Sequence, residues 1–167
     1  MPSTRALVLS LLLLLPVAAE AQAPKVDRID VIEAGIYQVV VKSNLADPKV
    51  PSGTRQNLNG AKLVKATNTI PAVLGTRFGF RFKIVGEPTG GPVALKWVIR
   101  FPPPGIRNER NQLQRSYEEN IATAIGTEEY RDALFDSPSD LVPGVWTMEV
   151  WSGNQKMAQQ QFTVVRR

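Results

Sequence analysis

The strongest constraint on this chain is an alternation of apolar and charged residues with a period of two. Arg77-Phe78-Gly79-Phe80-Arg81-Phe82-Lys83-Ile84-Val85 sends Phe78, Phe80, Phe82 and Ile84 to one side and Arg77, Arg81 and Lys83 to the other. Successive side chains of a β-strand point to opposite faces, so this segment reads as a strand with one face in a core and one in water. Phe80 is expected inside and Arg81 in solvent. Val93 to Phe101 repeats the pattern, with Leu95, Trp97, Ile99 and Phe101 on one side and Lys96 and Arg100 on the other. Gly86-Glu87-Pro88-Thr89-Gly90-Gly91-Pro92 lies between them and is dense in turn formers, so the two strands are expected to pair as a hairpin.

A second hairpin is legible near the C-terminus. Val145–Trp151 and Lys156–Val165 flank the turn Ser152-Gly153-Asn154-Gln155, with Trp146, Met148 and Val150 on one face opposite Phe162 and Val164. Val26–Ile32 and Ile36–Lys42 make a first strand region around Gly35, and Ala61–Ile70 makes another, ended by Pro71. Segments 43–60 and 102–116 read as long irregular connections. Tyr117–Ile125 fits a short helix or a strand, and Tyr130–Phe135 a strand. Six to eight short strands, with turn signals about every ten residues, predict an all-β fold, an immunoglobulin-like antiparallel β-sandwich. The chain has no cysteine. The core is therefore expected to be anchored by a buried Trp97 or Trp146 with no disulfide beside it.

The N-terminus has the three parts of a secretion signal. Met1–Arg5 carries one positive charge, Ala6–Leu15 is almost uninterrupted aliphatic, and Pro16 precedes the small-x-small run Ala19-Glu20-Ala21. This predicts a cleaved leader over residues 1–21 and a mature chain starting at Gln22. The apolar run is about ten residues, half of what a spanning helix needs. Residues 22–32 then form a lead-in with a first strand, and residues 33–167 one sandwich domain. A chain of this length can bury roughly two-thirds of its unfolded surface without disulfide staples. The expected location is the bacterial periplasm or the exterior.

With neither His nor Cys, the chain cannot build a Ser-His-Asp triad, a His-ligated zinc site or a thiol nucleophile. The net charge of +5 survives loss of the leader, which takes one Arg and one Glu. Read along the sequence it is a dispersed excess that suits anionic surfaces and polymers but gives no ground for nucleic-acid binding.

Gly35-Ile36-Tyr37, Thr69-Ile70-Pro71-Ala72, Leu74-Gly75-Thr76-Arg77-Phe78-Gly79-Phe80, Arg100-Phe101-Pro102-Pro103-Pro104-Gly105, Leu141-Val142-Pro143-Gly144-Val145-Trp146 and Phe162-Thr163-Val164 stand in a telling order. Over residues 33–165 the chain resembles a bacterial family of exported proteins catalogued as a domain of unknown function. The resemblance implies an immunoglobulin-like sandwich and brings no catalytic or binding residues.

Four residues are weak binding candidates. Arg107, Arg110 and Arg115 suit a loop that grips phosphate or carboxylate, since guanidinium binds both bidentately. Glu109 sits among them, however, and a solvated polar loop is the plainer reading. Trp151 points away from Trp146 and Val150 and is suited to stacking on a sugar or a partner. Pro102-Pro103-Pro104 reads as a stiff bridge out of its strand, a shape that aromatic grooves also bind. Carboxylates concentrate at Glu118, Glu119, Glu128, Glu129, Asp132, Asp136 and Asp140. A glycosidase pair would need two of them at a fixed separation, and a Ca²⁺ loop would need a spacing they lack. The expectation is therefore a non-catalytic binding or structural module of the cell envelope, without cofactor or metal. Its partner would be an envelope protein or an anionic envelope polymer. A carboxylate-based hydrolase and a periplasmic chaperone that lends an edge strand are the alternatives.

Overall fold

Each of the alternating segments builds a strand that hides its apolar side, and two stacked sheets are the result. The computed structural model describes residues 23–48, 50–108 and 110–166; the leader over residues 1–21 lies outside them. The strands are β1 (Lys25–Ala46), β2 (Thr54–Ala66), β3 (Thr69–Pro71), β4 (Arg77–Glu87), β5 (Pro92–Arg100), β6 (Ile106–Arg107), β7 (Leu113–Gln114), β8 (Ser116–Ala124), β9 (Glu128–Leu134), β10 (Gly144–Ser152) and β11 (Gln155–Val165). The first sheet runs β2-β1-β4-β9, the second β3-β11-β10-β5-β8, and β6-β7 is a small separate hairpin. Neighbouring strands are antiparallel except β3, which lies parallel to β11. One turn of 3-10 helix, Pro138–Asp140, precedes β10.

Aromatic rings knit the sheets together. Phe78 of β4 meets Phe135, Trp146 and Phe162 at centroid distances of 5.0, 5.6 and 5.3 Å. Phe80 meets Trp97 of the facing sheet at 5.4 Å. Both Trp97 and Trp146 are buried, and Trp146 Nε1 donates to the Val142 carbonyl at 3.0 Å, which satisfies its polar end. The inward faces read from β4, β5, β10 and β11 are thus the core, and residues 117–125 resolve as strand β8.

The expected pairing of β4 with β5 is wrong. β4 hydrogen-bonds to β1 and β9, and β5 to β10 and β8. Gly86–Pro92 therefore crosses between the sheets. Period-two patterning tells which face a strand buries, and both strands do bury the expected face. It does not tell which neighbour a strand takes, and a Pro- and Gly-rich link of this length serves a crossover as well as a hairpin.

Segment 43–60 is mostly ordered strand, since β1 runs to Ala46 and β2 starts at Thr54. β1 runs unbroken through Gly35 to Ala46. Ala61–Ile70 is divided between the ends of β2 and β3, which belong to different sheets. Segment 102–116 contains the β6-β7 hairpin. Arg81 does not point into bulk water. It is half-buried on the outer face of the first sheet, held by Glu33 and by the backbone of β2.

Candidate functional site

The length of β1 creates the site. Its first half pairs with β4 up to Ile36 opposite Phe78; from Tyr37 to Ala46 it pairs with β2 alone. The two strands leave the sheet together as an arm. Gly35 is the point of departure. Its φ is +153°, and a Cβ there would lie 2.0 Å from the Lys65 carbonyl oxygen, so the strands close up only around glycine.

The arm folds back over the outer face of its own sheet, where long polar side chains hold it. Arg81 Nη2 donates to the Ala61 carbonyl at 2.8 Å and its Nε to Glu33 at 3.1 Å. Arg77, buried although it faces outward, donates to Asp132 at 2.5 Å and to Gln56 Oε1 of β2. The Tyr37 ring packs on that of Tyr130, centroids 4.5 Å apart. Near the tip, Arg55 Nη1 reaches Glu119 of β8, in the other sheet, at 2.5 Å.

Beneath the arm is a cleft of about 550 Å³ between the edge strands β9 and β8. Its roof is the arm from Val50 to Leu58, one wall is Arg77, Tyr130, Arg131 and Asp132, and the other is Tyr117 and Glu119. Its floor reaches the aromatic core at Trp97, Phe101 and Trp146. Burial, then the adjacent Asp132 carboxylate, drives the Tyr130 phenol far above its usual range. Burial and Glu119 do the same to Tyr117, and burial and Glu33 to Tyr37. All three phenols therefore stay protonated and act as hydrogen-bond donors.

Several expected carboxylates do gather here: Glu119, Glu128, Asp132, Asp136 and Asp140 line the cleft. Asp132 accepts from Arg77 and from Tyr130 Oη at 2.9 Å, and Glu119 from Arg55. Asp140 is buried and accepts the backbone N–H groups of Asp136 and Ser137 at 3.0 and 2.8 Å, fixing the 3-10 turn. Among the described residues no three His, Cys, Asp or Glu side chains cluster as a metal site.

The residues singled out in the sequence lie elsewhere. Arg107, Arg110 and Arg115 are exposed on and beside the β6-β7 hairpin. Arg107 Nη1 donates to the Asn111 carbonyl at 2.8 Å, the Arg110 N–H to Asn108 Oδ1 at 3.1 Å, and the Arg115 carbonyl accepts from Phe101 N–H at 2.9 Å. Trp151 is half-buried on the outer face of the second sheet, between the Lys96 and Lys156 ammonium groups at 5.5 and 5.9 Å from its ring. It donates to Glu149 at 2.9 Å. Burial alone would raise the Glu149 carboxyl. Hydrogen bonds from Trp151 and Lys156 and the charge of Arg100 outweigh that and hold it below the usual range. Sequence reasoning missed Arg77, Arg81, Gln56 and Tyr130. The available signal was Arg77-Gly79-Arg81 on one face; a Cβ at Gly79 would lie 2.1 Å from the Arg131 carbonyl oxygen, so β9 closes up on β4 there only around glycine.

No curated protein matches the chain in sequence. Among solved structures, an immunoglobulin-like protein from Pseudomonas aeruginosa is similar in fold, with 22% identity and a TM-score of 0.58 over 89% of this chain and all of that one. Two further solved structures are similar over part of their length: an alkylpurine DNA glycosylase from Pseudomonas fluorescens, bound to DNA with an abasic-site analog, and a β-glucosidase from Listeria innocua in complex with glucose. The glycosylase is 12% identical with a TM-score of 0.38 over 58% of this chain and 27% of its own, and the glucosidase 10% with 0.32 over 78% and 16%. Residues 25–164 match the family described as Domain of unknown function (DUF3859), and the chain, an immunoglobulin-like sandwich with an added arm, belongs to that family.

Proposed function

We propose that this protein is an exported, non-catalytic module of the bacterial cell envelope that binds an extended segment of an envelope protein or polymer under its β1–β2 arm. The observation that carries the reading is the cleft itself. It has an aromatic floor, a tyrosine ring on each wall, and an edge strand of each sheet along its sides. An edge strand presents unpaired backbone groups to which an extended segment can bond, and such a cleft recognises both apolar side chains and polar backbone. Export is supported by the aliphatic leader and its Ala19-Glu20-Ala21 end. Carboxylate-based hydrolysis ranks second because five carboxylates line the cleft. Three of those, Glu119, Asp132 and Asp140, are engaged by arginine or by backbone N–H groups.

A photo-crosslinking amino acid placed at Tyr117 should give a discrete adduct in cells, while the same probe at the exposed Val145 gives none. Identical adducts from both positions, or none from Tyr117, would overturn the binding reading. N-terminal sequencing of the exported protein should begin at Gln22; a chain that still carries Leu11–Leu15 would overturn the export reading.

A further inference from the structure

The outer side of the arm, turned away from the cleft, has its own chemistry. Opposite Tyr37, Val39, Ala61 and Leu63, which face the sandwich, the alternate positions Gln38, Val40, Lys62 and Val64 face outward. Val40 and Val64 are each 62% exposed, on either side of the paired Gln38 and Lys62. Valine and lysine thus alternate on this face, apolar and basic side chains side by side. Charge gathers at the same place. Residues 36–66 hold Lys42, Lys49, Arg55, Lys62 and Lys65 against the single acid Asp47, so they supply four of the chain's net five positive charges. The excess that looks dispersed along the sequence is concentrated on one element. Arg55 is turned inward to Glu119, whereas Lys42, Lys62 and Lys65 are exposed.

We propose that the outward face of the β1–β2 arm docks on an anionic phospholipid bilayer, its lysines at the headgroup phosphates and its valines at the interface below them. The charge decides the occupant. A second copy of the chain would bring a net four positive charges against four more, whereas an anionic leaflet attracts each exposed lysine. Lysine stems also lie along apolar surface while their ammonium groups stay in the polar layer, so valine and lysine side by side suit that boundary. A two-stranded arm leaves its outer backbone edges unpaired and cannot enter the hydrocarbon, so docking is interfacial. The inference goes beyond the cleft and is independent of what fills it.

The test is co-sedimentation of the purified full protein with vesicles of phosphatidylglycerol and phosphatidylcholine, against phosphatidylcholine alone. Binding should be at least about tenfold tighter to the anionic vesicles and should fall steeply in about 0.5 M salt, where charges are screened within a few ångströms. Lys62→Glu with Lys65→Glu should weaken it by about tenfold or more, and so should Val40→Asn with Val64→Asn at unchanged net charge. The control Lys83→Glu with Arg166→Glu makes the same charge change at two other exposed positions, one on β4 and one just after β11, and should leave binding within about twofold. Equal binding to neutral vesicles, or no binding to either, overturns the proposal. Equal loss in the control pair, which would mean unspecific charge attraction, does so too. Dimerisation abolished by Val40→Asn with Val64→Asn would assign the patch to a second copy and also overturn it. The Tyr117 crosslink is a separate readout, so failure of this surface and failure of the cleft are distinguishable.

Discussion

Phe80 and Arg81 are neighbours in sequence and opposites in environment, and their energetics should differ in kind. Phe80 is fully buried against Phe82 and Trp97. Phe80→Ala removes a ring the sandwich cannot refill and should cost about 3–5 kcal/mol, read from denaturant unfolding at unchanged m-value. Arg81→Ala should cost about 1–2 kcal/mol, more than a solvated arginine would, because it loses Glu33 and leaves the Ala61 carbonyl without its donor. Glu149 sets a pH dependence. Its carboxyl lies below the ordinary value of 4.5 in the folded protein. The ionised form is thus favoured by folding, and that stability is present above 4.5 and lost as pH falls through the lower folded value. Glu149→Gln removes this contribution. Wild type should therefore be the more stable at neutral pH, and the gap should narrow as melts are taken below pH 4.5.

Among the elements, the arm has its own stability. It is joined to the sandwich by the strand turning at Gly35 and by Arg55, Gln56, Arg77, Arg81 and Tyr37, with few apolar contacts near the tip. Arg55→Ala with Gln56→Ala should speed proteolysis between residues 47 and 53, while global stability changes by less than about 1 kcal/mol, since part-exposed ion pairs contribute little. Strands β4, β5, β10 and β11 were legible in the sequence because apolar residues recur at every second position, as in Phe78, Phe80, Phe82 and Ile84 or Trp146, Met148 and Val150, and β10 and β11 also have a short turn that dictates their pairing. The arm was not legible. Ser43–Leu58 is polar with Pro48, Pro51 and Gly53, a composition shared by irregular loops and by strands that pack on one side only against polar side chains. The crossover at Gly86–Pro92 was hidden for a related reason, since strand partners depend on contacts between residues far apart in the chain. Of the site, the carboxylates were visible as a cluster, while the arginines that hold them looked like the solvent face of a strand.

In the whole molecule, the second sheet is ordered β3-β11-β10-β5-β8, so the last strand of the chain lies inside it and covers Phe78 through Phe162. Ending the chain after Ser152 removes Phe162 and Val164 from the core and leaves β3 without the strand it pairs with. Such a chain should show no cooperative thermal transition and should be digested rapidly under conditions where the intact protein survives. The same arrangement has a meaning in time. A polypeptide that emerges from a ribosome or a secretion channel does so N-terminus first, and the local pair β1-β2 can form early. β4, with three phenylalanines on one side, must then wait for β5, β10 and β11, which follow it in the chain, before that side is fully covered. For as long as that delivery takes, the most adhesive surface of the protein is open, and any helper that shields nascent chains would find its target there.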